Sequence, residues 1–133
     1  MAVAPLNMVR AVAEYAVTRI PPEKIFMGIP NYAYDWVLPY IKGQSRATTI
    51  GNVDAVQIAV ENDAQILYDE TAQTPHFTYI RNEIMHEVWF EDVRSIDAKL
   101  HLAAEFGFQG VTYWNLLKPF RANWELIQQV LNQ

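Results

Sequence analysis

The chain has 133 residues, of which 51% are apolar, and carries a formal charge of -5 with no cysteine. That composition supports one domain with a continuous core and argues against disorder, while ten scattered Lys and Arg residues leave no footprint for a phosphate backbone or an anionic membrane. Nucleic acid and bilayers are therefore not expected partners, and disulfides, thiolate chemistry and zinc-finger spacings are excluded, although the compartment stays open.

No apolar stretch reaches the roughly 20 residues of a membrane span. Met1 to Pro5 lacks the charged start and apolar body of a signal peptide, so the expectation is an internal or exposed end rather than a leader. A whole eight-stranded α/β barrel needs roughly 250 residues, so a chain of this length can hold only part of one.

In chain order, Val9, Val12, Ala13, Ala16, Val17 and Ile20 fall three and four apart, which predicts a helix over 6–20 stopped by Pro21 and Pro22. Lys24 to Ile29 is a short, nearly unbroken apolar run ended by Pro30, the pattern of a parallel strand covered on both faces, with Gly28 marking close backbone packing. From Asn31 to Arg94 the character changes. A short helix over about 53–61 precedes strand-like runs at Gln65–Tyr68, His76–Ile80 and Glu87–Phe90, which predict a small antiparallel sheet with one wet face.

Ser95 is a candidate cap for a helix whose face is Ile96, Leu100, Ala103 and Ala104 and which ends at Gly107. Gly110–Trp114 reads as a second short strand. After Pro119, Asn123 is placed to cap a last helix carrying Trp124, Ile127, Val130 and Leu131. Two apolar strands joined through a helix form a right-handed unit, so the strands at Lys24 and Gly110 are expected to be parallel neighbours. The stretch between Asn31 and Arg94 leaves the carboxy end of the first strand, where it would wall a binding cleft.

The most specific chemical cluster is aromatic. Tyr32, Tyr34 and Trp36 leave the first strand and Trp114 ends the second, so all four can converge on one rim, where flat rings suit the C–H faces of sugars. The same rings also fit a plain packing role. Adjacent carboxylates at Asp69-Glu70 and Glu91-Asp92 point to opposite faces if they lie on strands, so they read as solvated faces or partners of Arg81 or Arg94. His76, His86 and His101 are isolated, and no metal motif, phosphate loop, nucleophile elbow or dinucleotide fingerprint is present; neither a metal nor a cofactor is expected.

Four segments together carry a family resemblance: Val3-Ala4-Pro5-Leu6-Asn7, then Pro22-Glu23-Lys24-Ile25-Phe26-Met27-Gly28-Ile29-Pro30-Asn31-Tyr32-Ala33-Tyr34-Asp35-Trp36, then Val88 to Ile96, and Gly110-Val111-Thr112-Tyr113-Trp114-Asn115-Leu116. In order and spacing they resemble family 18 glycoside hydrolases, particularly the branch associated with spore germination and cortex-fragment lysis. The resemblance implies an α/β fold that is the C-terminal part of a (β/α)8 barrel. Residues 1–30 would be barrel helix 6 and strand 7, 31–94 an α+β insertion, and 95–133 helix 7, strand 8 and helix 8.

It also implies a site. Trp114 is similar to the family's tryptophan beneath the sugar beside the scissile bond, and Tyr32 to the tyrosine leaving strand seven, with Tyr34, Asp35 and Trp36 as further substrate contacts. Tyr34 stands where many chitinases have arginine, and Leu117 to Arg121 lacks the glycine that often follows strand eight. The family's acidic signature, Asp-x-x-Asp-x-Asp-x-Glu, occurs nowhere in this sequence. In the family that Glu protonates the glycosidic oxygen while the substrate's acetamido group is the nucleophile. No catalytic residue is therefore assigned, and hydrolysis by this polypeptide alone is not expected.

Three readings stand at this point: part of a retaining N-acetylglucosaminidase acting on peptidoglycan or a related N-acetylated glycan, a non-catalytic carbohydrate-binding module, or a structural interaction domain. The first implies as partners that glycan and the remaining barrel, and a cell-wall, spore or extracellular setting. Open strand edges would also favour self-association.

Overall fold

The computed structural model describes residues 1–132. Helix α1 (Leu6–Val17) is followed by a short 3-10 turn and strand β1 (Phe26–Pro30). Then come β2 (Ala33–Val37), β3 (Ala47–Ile50), α2 (Asn52–Glu61), β4 (Leu67–Asp69), β5 (Thr74–Arg81) and β6 (Ile84–Trp89). Helix α3 (Val93–Glu105), strand β7 (Gly110–Trp114) and helix α4 (Arg121–Leu131) complete the order.

Strands β1 and β7 pair in parallel, from Phe26 opposite Gly110 to Pro30 opposite Trp114. The remaining strands form one antiparallel sheet in the order β3-β2-β6-β5-β4. Its inner face presents Ala33, Phe77, Tyr79 and Val88 to Ala55 and Ala59 of α2, with Phe90 closing the cluster. A second core forms where Met27 and Ile29 meet Ile96, Leu102, Ala103 and Phe120. Met27, Ile29, Ile96, Leu102 and Phe120 each contribute about 1.5–3 kcal/mol on burial. No helix among the described residues is long and apolar enough to cross a membrane.

Several expectations are corrected here. Helix α1 ends at Val17, where Thr18 hydroxyl donates to the Tyr15 carbonyl, so Ile20 lies beyond it. Only Ala13 of its apolar face is buried, and Val12 is exposed. Strand β1 is not covered evenly on both faces: Met27 and Ile29 are buried, while Phe26 on the other face is 58% exposed. A Cβ at Gly28 would meet open space, so that glycine does not serve close packing. The sheet has five strands where three were expected, because β2 and β3 are formed by residues read as a connection.

The helix caps also differ. Asp92, one turn earlier than expected, caps α3: its carboxylate accepts from the Ser95 amide at 2.9 Å and the Ser95 hydroxyl accepts from the Asp92 amide at 2.9 Å. This reciprocal pair satisfies two otherwise orphaned donors. Ala104 is exposed, and the buried face of α3 is Ser95, Ile96, Lys99, Leu102 and Ala103. Gly107 adopts a φ of 67°, the left-handed conformation that suits glycine beyond a helix end. Asn123 lies inside α4 and, fully buried, accepts a hydrogen bond from Tyr113 at 3.0 Å rather than capping the helix. On α4, Ile127 is half-buried while Trp124 and Val130 remain exposed; the side chain of Leu131 lies outside the described residues.

Glu91 is the largest departure. Instead of facing solvent it is buried with Lys99, both side chains 1% exposed and Nζ 2.9 Å from Oε2. The Ser95 hydroxyl donates to the same oxygen at 2.6 Å, and the Glu91 amide donates to Asn52 Oδ1 at 2.8 Å. Burial pushes the Glu91 carboxyl above its ordinary range, opposed by the Lys99 ammonium and the Ser95 hydroxyl. Asp92, by contrast, pairs with Arg94 at the surface, as expected.

Candidate functional site

The parallel pairing brings the carboxy ends of β1 and β7 together, so the residues that leave them share one rim. The alternation of a strand puts Thr112 and Trp114 on the bare face of β7 and turns Val111 and Tyr113 towards the helices. Trp114 is 71% exposed, which no packing role accounts for. Tyr32 and Trp114 line the same groove of about 330 Å³ with Gly28, Pro30 and Thr112. No carboxylate among the described residues lines it. Beneath it, burial pushes the Tyr113 phenol up to about 12 despite its bond to Asn123.

From Tyr32 an aromatic ridge continues along β2. Tyr32 and Tyr34 have ring centroids 5.7 Å apart, Tyr34 and Trp36 5.6 Å, and Trp36 and Tyr40 5.4 Å, with the last two contacts edge-on. Residues two apart on a strand face the same way, which is why these rings line up. Burial, with Tyr34 beside it, raises the Tyr32 phenol above its ordinary value. The Trp36 indole N–H donates to the Met1 carbonyl oxygen at 2.8 Å, so the start of the chain lies against this part of the ridge. Trp89, opposite Tyr34 in the sheet, extends the same face and stacks on His76 at 4.3 Å.

Asp35 does not join this ridge. The alternation that aligns the rings sends it to the inner face, 6% exposed, where it accepts from the Tyr79 hydroxyl at 2.6 Å and lies 2.9 Å from His86 Nδ1. Both of its oxygens are engaged within the sheet, and it faces away from the ridge that carries the other expected substrate contacts. Asp69 is equally local: Oδ1 accepts from the Thr71 and Ala72 amides and shapes a turn. Among the described residues no group of three metal-ligating side chains gathers.

Sequence reasoning missed Tyr40, Trp89, His76 and Asn31. His76 and Trp89 carry a weak signal, since they lie in predicted strands, but their cross-strand pairing does not follow from the pattern; Tyr40 lies in no predicted element. Asn31, which follows β1 and is wholly buried, carries none, because its partners are backbone carbonyls far along the chain.

Residues 2–118 match the model of glycosyl hydrolases family 18. The chain belongs to that family, with an α/β fold similar to the C-terminal part of its chitinase-like structures. It is 47% identical over 132 residues to a cortical fragment-lytic enzyme of Bacillus subtilis, covering 98% of this chain and 31% of that protein. It is 44% identical over 128 residues to its counterpart in Bacillus anthracis, covering 96% of this chain and 30% of that protein. The solved spore cortex-lytic enzyme SleL of Bacillus megaterium superposes with a TM-score of 0.91 at 46% identity, over 96% of this chain and 30% of that one. A chitinase from Chromobacterium violaceum superposes with a TM-score of 0.88 at 30% identity, over 100% of this chain and 41% of that one. The chain thus spans about 30% of the length of the curated relatives it matches.

Proposed function

We propose that the chain forms the sugar-binding wall of a family 18 glycosidase that cleaves peptidoglycan or another N-acetylglucosamine-containing glycan by substrate-assisted, retaining hydrolysis. The observation that carries this reading is the exposed Trp114 ring sharing one groove with Tyr32 at the carboxy ends of two parallel strands. Indole and phenol faces stack on pyranose C–H faces, and Tyr34 and Trp36 continue that surface for further sugar units.

In this reading β1 and β7 are strands seven and eight of an eight-stranded barrel, and β2 to β6 with α2 belong to its insertion. The proton donor is the Glu of Asp-x-x-Asp-x-Asp-x-Glu, supplied by the rest of that barrel and absent from this sequence. The chain alone is then inactive. The test is hydrolysis of N-acetylglucosamine oligomers or cortex fragments by the chain alone and by the chain joined to the preceding barrel portion of a relative. Turnover only in the joined protein is expected. Turnover by the chain alone contradicts the reading.

The absence of a carboxylate from the groove lining also fits a non-catalytic carbohydrate-binding module. That alternative predicts tight glycan binding by the chain alone and no turnover in the joined protein.

The outer edges of β1 and β7 are unpaired among the described residues, and an apolar groove of about 410 Å³ lies open between α1 and β1. Such edges template pairing with another strand. Light scattering of the isolated chain is expected to show association that grows with concentration, and a clean monomer at high concentration would contradict it.

A further inference from the structure

Asn31 joins the two chain segments that carry the rings of the groove. It follows β1 directly and precedes Tyr32 in the chain, and it is wholly buried. Its backbone amide donates to the Trp114 carbonyl at 2.6 Å, one step beyond the β1–β7 pairing. Its side-chain nitrogen donates to the Asn115 carbonyl at 3.1 Å and to the Lys118 carbonyl at 2.7 Å. Both amide hydrogens are thereby used.

The segment these bonds hold runs between Trp114, paired with Pro30 at the end of β7, and Phe120, buried in the second core. Leu116 is 74% exposed and Leu117 89%, so apolar burial does not anchor it. The Leu117 amide bonds only within the segment, to Asn115 Oδ1 at 3.0 Å. The orientation of the Asn31 amide follows from chemistry: the reverse assignment would set its oxygen against two carbonyl oxygens. Losing a buried donor leaves those carbonyls unsatisfied, which costs more than the bond itself contributes.

We infer that Asn31 is the positioning residue of the groove, fixing Trp114 relative to Tyr32 by clamping residues 114–118 to the end of β1. This rests on the reading of Trp114 as the sugar-stacking ring. Small misplacement of a positioning ring is expensive, because complementarity is lost without any contact residue changing.

The test uses the full chain labelled with 5-fluorotryptophan, whose four tryptophans give separable fluorine signals, with Trp114 assigned from Trp114→Phe. In Asn31→Leu, which keeps the side chain's bulk and removes its donors, the Trp114 signal is expected to shift and broaden. The signals of Trp36, Trp89 and Trp124 are expected to stay in place. Affinity for an N-acetylglucosamine oligomer is expected to fall about tenfold. An unchanged Trp114 signal, or equal shifts of all four signals in a variant that remains folded, overturns the assignment.

If Asn31→Leu does not fold, the unaltered chain decides. Both Asn31 side-chain amide protons are expected to exchange at least about tenfold slower than those of an exposed asparagine, and free exchange overturns the assignment. The fluorine spectra are recorded without glycan. Failure of the unaltered chain to bind an oligomer therefore overturns only the glycan reading, and a silent Trp114 signal overturns only the role of Asn31.

Discussion

Lys99→Met is expected to destabilise the chain by about 3–5 kcal/mol, enough to take a large share of the stability of a domain of this size. Its ammonium lies 2.9 Å from Glu91 Oε2 with both side chains 1% exposed, so removing it strands a carboxylate away from water. The loss arises from that uncompensated charge more than from the pair itself, because a buried ion pair offsets much of its own attraction by desolvation. The companion change Lys99→Met with Glu91→Met is therefore expected to recover most of the loss.

The sign with pH follows from the Glu91 carboxyl. Burial raises it above the ordinary value of 4.5, so the folded state holds that proton more tightly than the unfolded chain does. Lys99→Met is then least impaired below the ordinary value and loses stability as pH rises through the raised one. Urea unfolding of both variants at two pH values checks this, read as midpoint shifts at constant slope. A Lys99→Met midpoint within error of the unaltered chain would show that Glu91 is not held in a dry site.

Trp114→Ala is expected to do the opposite: leave the fold intact and remove function. A side chain 71% exposed contributes little to the core, so stability should change by less than about 0.5 kcal/mol. Binding of N-acetylglucosamine oligomers is expected to weaken by about 2 kcal/mol, roughly thirty-fold, as for a tryptophan anchor at the centre of a binding surface. Calorimetric titration with parallel thermal unfolding separates the two effects. Equal loss of both would mean that the indole packs in the fold rather than facing sugar.

The parallel pairing of β1 and β7 could be read from sequence because both are short apolar runs separated by helical periodicity, and that pairing alone brings Tyr32 and Trp114 to one rim. Strand β2 escaped notice because its inner positions are Ala33 and Asp35, too small and too polar to produce an apolar alternation. Asp35 tolerates that position only through Tyr79 and His86, partners found on other strands. Glu91 misled for a similar reason: its cation is Lys99, a pairing produced by the turn into α3 rather than by any spacing along one helix. Ser95 was the cap expected from sequence, and only the register of α3 makes Asp92 the cap and Ser95 its reciprocal partner.

The rims of binding grooves are thus easier to read than what supports them. Rings at strand ends announce themselves, while Asn31, which joins two of them, contacts backbone carbonyls at positions 115 and 118 that any residue could supply.

The central claim is that the face bearing Trp114 and Tyr32 meets an N-acetylated glycan. Amide and aromatic resonances of the unaltered chain, followed while an N-acetylglucosamine oligomer is added, test it most directly. Saturable changes centred on Trp114, Tyr32 and Tyr34 are predicted; changes confined to other surfaces, or no change at millimolar oligomer, would contradict the account.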